Sequence, residues 1–180
     1  MKRQSDITRK SLLAAARSIV AKQGAINFTL ESVAQAASVS KGALLHHFPT
    51  KKALVEAMVR DLVERFHAAC EAQAAKDPDA KGRSARAYVR AVAAQTEQDS
   101  EYFAAMSVAF LSDMSLMHLW RSGVAEAMKI DAAENEDPSD ALIVRLAADG
   151  IWNSDLYNTY GFESARRKQI LDKLVAMTRS

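Results

Sequence analysis

The chain has 180 residues, 49% hydrophobic and 26% charged, the balance of an ordinary globular protein rather than a disordered or fibrous one. A single cysteine, Cys70, excludes an intrachain disulfide scaffold; no apolar run offers a bilayer span, and the basic start MKRQSDITRK lacks a signal-peptide core, so a cytoplasmic protein is expected. The net charge of +2 hides a split: residues 1–52 carry nine basic and two acidic side chains, while the remaining residues are net acidic, so the first third is suited to meeting a polyanion.

Apolar residues recur at helical spacing almost throughout, and no segment alternates with period two for long enough to read as a strand, which predicts an all-α protein of about nine helices. The first helix is expected from a cap at Ser5 or Asp6, with a stripe of Ile7, Leu12, Ala15, Ala16, Ile19 and Val20, and a stop at Gly24. Thr29 caps a short second helix carrying Leu30, Val33, Ala34 and Ala37. A short third helix runs from Lys41 to His47 and ends before Pro49, which disfavours helical geometry at Phe48. Thr50 caps a long fourth helix, and Lys76–Arg83 is a polar connection. A fifth helix follows from Ser84 to about Asp99, then a sixth with Tyr102, Phe103, Met106 and Phe110, and a seventh from about Leu116 to Lys129. The run DAAENEDPSD reads as a loop, with Pro138 starting an eighth helix that stops near Gly161. The last helix spans about Glu163 to Met177.

Two short helices joined by a tight turn between Thr29 and His47 have the spacing of a helix-turn-helix, whose second helix enters the major groove of DNA. Val33, Ala34, Ala37, Val39 and Leu44 would fix the angle between them. The outer face of the third helix would present Ser40, Lys41, Gly42, Ala43, His46 and His47. Gly42 permits close backbone approach, and Ala43 is short enough to touch a base edge. Thr29, His47 and Lys51 stand where phosphates would pass. A metal pair at His46–His47 is disfavoured, because adjacent helical residues diverge and no third ligand is near in sequence.

The run from Ser40 to Leu54, SKGALLHHFPTKKAL, together with Thr29–Ala37, resembles the signature of TetR-family repressors. Two positions depart from that pattern. Ser38 stands where the family usually has a turn glycine, so the turn is expected to persist with slight strain; Leu45 stands where a tyrosine often touches phosphate. The resemblance implies a DNA-binding domain over residues 1–50 and a helical ligand-binding and dimerisation domain over 51–180. It also implies a homodimer through the last two helices, a near-palindromic operator and release by a ligand.

Large side chains suggest a lining for the ligand site: Phe66, Tyr88, Phe103, Met106, Phe110, Met114, Met117, Trp120 and Trp152. The stretch Arg145–Asp155 resembles the eighth helix of multidrug-responsive members of that family. Its two acids divide, Asp155 being assigned to the ligand and Asp149 to structure, with a pair to Arg145, Arg121 or an arginine of the last helix, within or between subunits, as the alternative for either acid. The expected ligand is small and apolar or amphipathic, a cation among the candidates. A helical enzyme has only the mid-helix acids and His118 in its favour, so no catalytic, metal or cofactor residue is assigned. A ligand-independent DNA-binding protein stays open as an alternative.

Overall fold

The computed structural model describes residues 2–23, 28–94, 97–135 and 137–179. Among these residues there are nine α-helices and no strand. They are α1 (Lys2–Gln23), α2 (Leu30–Ala36), α3 (Lys41–His47), α4 (Lys51–Ala74), α5 (Arg83–Ala93), α6 (Glu97–Ser112), α7 (Met117–Glu134), α8 (Ser139–Tyr157) and α9 (Ser164–Met177), with a 3₁₀ turn at Met114–Leu116. No single helix is long and apolar enough to cross a membrane, among the residues described. The chain divides into two compact units, Met1–Glu64 with Glu97–Leu119, and Arg65–Thr96 with Trp120–Ser180.

In the first unit α1 buries Leu12, Leu13, Ala16, Ile19 and Val20, an i, i+4, i+7 stripe that packs on α2 and α6. It begins at Lys2, before the expected cap, and Ile7 is exposed rather than part of the stripe. Gly24, the expected stop, lies outside the described residues, as does the side chain of Tyr102. The fully buried Val33, Leu44 and Leu54 and the nearly buried Phe28 and Phe48 hold α2, α3 and the start of α4 together. α6 adds Ala105, Met106 and Ala109 to this core.

The second unit is built around α5, in which seven of eleven residues are buried, against α8 and α9. α5 ends at Ala93, not near Asp99: the alanine-rich run has no breaker, so its sequence could not mark the stop. α7 runs on to Glu134, so part of the expected acidic loop is helix. The reason is Asp131, buried and bound to Arg145 of α8 at 2.7 Å and 3.0 Å.

Arg86, fully buried, ties the chain ends of this unit together. Its guanidinium donates to Asp77 (2.8 Å), to the carbonyls of Lys81 (2.6 Å) and Asp79 (2.7 Å), and to Thr178 beyond α9. Arg86, aided by Arg90, holds the Asp77 carboxyl well below the usual carboxylate range. Beside it Gly82 has φ +64°, and a Cβ there would lie 2.3 Å from the Thr178 carbonyl oxygen, so the position accepts only glycine without a shift.

Candidate DNA-reading face and ligand cavity

The geometry of the first unit is set by caps. Thr29 precedes α2 with extended backbone; its hydroxyl accepts from Ser32 N–H at 3.0 Å while Ser32 Oγ accepts from Thr29 N–H at 3.1 Å, a reciprocal capping box. At the other end of α2, Val39 N–H donates to Ala34 O and Ser38 N–H to Gln35 O, both at 3.0 Å. This is a Schellman turn with Ser38 in its left-handed position at φ +55°. Ser40 then caps α3, accepting from Ala43 N–H at 3.1 Å, and Thr50 caps α4 through Ala53 N–H at 3.0 Å.

These caps leave Thr29, Ser40, Lys41, Gly42, His46 and Lys51 exposed, with Ala43 and His47 half-buried. A Cβ on Gly42 would meet only Ser40 Oγ at 3.9 Å, so nothing among the described residues demands glycine there. Lys51 places its ammonium 5.2 Å from the Phe28 ring centroid, and the Arg9 guanidinium lies over Phe48 at 5.5 Å. Lys41 is bound to Glu31 at 2.5 Å, a contact the sequence reading missed; its ammonium lowers the Glu31 pKa.

The second unit contains a cavity of about 330 Å³ bounded by α4, α5, α7 and α8. Its aromatic wall is Phe66, Tyr88 and Trp120: Phe66 meets Tyr88 edge-on at 5.2 Å and Trp120 at 5.5 Å. His67 stacks on Trp120 and fills the space over Gly123, where a Cβ would sit 2.1 Å from the imidazole. The Tyr88 hydroxyl donates to Asp149, and Arg145 lies 4.9 Å above the Tyr88 ring. Burial raises the Asp149 carboxyl, against the opposing effects of the tyrosine hydrogen bond and Arg145. Burial, then the neighbouring Asp149 charge, pushes the Tyr88 phenol up, and burial pushes the Cys70 thiol up to about 12.

Of the ten side chains expected to meet ligand, Phe66, Tyr88 and Trp120 line this cavity. Phe103, Met106, Phe110, Met114 and Met117 belong to the first unit and do not line it; Met106 is core there and Met114 is exposed. Trp152 is half-buried on α8 away from the lining, and Asp155 is bound to Arg167 of α9 at 2.7 Å. Of the two acids, Asp149 and not Asp155 faces the cavity. His67, Cys70, Glu71, Glu126, Glu134 and Arg145 also line it, and the sequence reading missed them. Only Cys70, four residues on from Phe66, shares its side of α4, so its spacing alone was a usable signal.

A family model described as the tetR family of bacterial regulatory proteins matches residues 12–58, and one described as the tetracyclin repressor-like C-terminal domain matches residues 82–179. Over 65 residues the chain is 32% identical to the HTH-type transcriptional regulator UidR of Escherichia coli K12; the match covers 36% of this chain and 33% of that regulator. A transcriptional regulator from Rhodococcus sp. Rha1 has the same fold, with a TM-score of 0.76 and 22% identity over 94% of this chain and 95% of its own. The multidrug binding protein EbrR, solved with malachite green, gives a TM-score of 0.70 at 22% identity, covering 92% of this chain and 96% of its own.

Proposed function

The chain belongs to the TetR family of DNA-binding transcriptional regulators, and on that premise we propose that it is a cytoplasmic homodimeric repressor released from a palindromic operator by a small amphipathic ligand. Residues 1–50 read the DNA, and residues 51–180 bind the ligand and dimerise. The observation that carries this reading is the capped α2–α3 pair, which presents Ser40, Lys41, Gly42, His46 and Lys51 to solvent. Gly42 admits a close backbone approach that none of the described residues uses. Ala43 reads a base edge, and Thr29, His47 and Lys51 bind phosphates.

The dimer is supported by an apolar stripe on α8: Leu142, Ile143, Leu146 and Tyr157 are exposed, and a Cβ on Gly150 would meet nothing. On α9, Leu171 and Leu174 are buried within the second unit, while Ile170 and Val175 are half-buried. The ligand reading is supported by the cavity and by the likeness in fold to EbrR, which binds malachite green and ethidium.

Selection of bound duplexes from a random pool tests the reading, and a single short palindrome should emerge. Lys51→Ala should weaken binding to every sequence and lower the log–log salt slope by about 0.9, the loss of one phosphate contact. Ala43 substitutions should change the preferred bases instead. A pool with no consensus would contradict the proposal.

A further inference from the structure

We propose that the cavity of the second unit selects lipophilic organic cations, and that Asp149, held by the Tyr88 hydroxyl, is the group that reads the positive charge. The inference rests on the cavity being the ligand site and adds the charge and the residue.

The geometry favours a cation from two directions. Phe66, Tyr88 and Trp120 offer ring faces and edges in contact with one another, and aromatic faces attract cations. Asp149 lines the cavity from α8, half-buried, and accepts a hydrogen bond from the neutral Tyr88 hydroxyl. Arg145, one turn earlier on α8, does not neutralise it, because Asp131 takes both of its donating nitrogens and Ser84 Oγ accepts from one of them at 2.6 Å.

Of the other ionisable groups on the cavity, Glu126 of α7 is paired with Lys129 at 3.0 Å, while Glu134 of α7 and Glu71 of α4 add negative charge beside the half-buried His67. Cys70 of α4 is uncharged at neutral pH, its thiol raised to about 12, and Glu134 accepts from the Ser84 N–H at 2.8 Å. A ligand that brings one positive charge and a large apolar surface therefore meets both complements at once. Because burial raises the Asp149 carboxyl, cation affinity falls as the pH drops through that raised value.

Tetraphenylphosphonium and tetraphenylborate have the same shape and opposite charge, and their binding to the full chain can be followed by calorimetry and by tryptophan fluorescence. The cation should bind at least tenfold more tightly at pH 7.5, with an affinity that weakens on acidification. Asp149→Asn, nearly isosteric, should cost the cation at least tenfold and remove the pH dependence. Tyr88→Phe keeps the ring and removes the donor, so the pH midpoint should move upward. Equal affinities for the two ions, or full cation affinity in Asp149→Asn with an unchanged melting curve, would overturn the assignment. Neutral ligands that bind and release DNA when neither ion binds would overturn the charge selection and leave the ligand site standing. Failure of every ligand to bind would remove both.

Discussion

Lys41 opens α3 on the proposed DNA-reading face, yet its ammonium is already held by Glu31 of α2. Both side chains are well exposed, so the pair contributes little to folding, but it cancels one positive charge that would otherwise face DNA. Glu31→Gln should therefore leave the melting temperature almost unchanged while tightening binding to non-specific duplexes. Its log–log salt slope should steepen by about 0.9 as Lys41 gains a phosphate. An unchanged slope would mean that Lys41 does not reach the backbone. The residue scale is also where the sequence was least legible. Asp149 and Asp155 are six positions apart on α8 and so point to different sides, and no local pattern says which side meets a cavity and which meets Arg167. The large apolar residues of α6 and the following turn were equally ambiguous, because core and pocket use the same side chains.

At the scale of the element, local chemistry was readable wherever it acts alone. Thr29, Ser40 and Thr50 cap the helices that follow them, and Phe48 ends α3 at the residue before Pro49. Where the decisive partner is distant, the reading failed: Asp131 is helical because Arg145 binds it across the second unit. Ser38 lies between these cases. A left-handed residue other than glycine costs about 1–2 kcal/mol, and a glycine gives back roughly 0.5–1 kcal/mol of chain entropy. Ser38→Gly should thus stabilise the chain by up to about 1 kcal/mol, and Ser38→Val should destabilise it, as thermal or urea unfolding would register. A loss of stability in Ser38→Gly would show that the serine turn carries no strain.

For the whole molecule, the sequence already separates a basic first third from an acidic remainder, an asymmetry that favours the proposed placing of DNA on the first third. Membership of the TetR family gives the two parts their general roles, DNA binding and regulation. The proposed dimer joins them: two reading faces on one palindrome multiply the phosphate contacts, and the exposed Leu142, Ile143, Leu146 and Tyr157 of α8 supply an apolar surface for the pairing. The most direct test is a fluorescence-anisotropy titration of the selected palindrome, and of a scrambled duplex of equal composition, across a range of salt concentrations. Two chains should bind each palindrome, far more tightly than the scrambled duplex, with log affinity falling linearly as log salt rises. Equal affinity for the two duplexes, or one chain per palindrome, would contradict a dimeric operator-reading repressor.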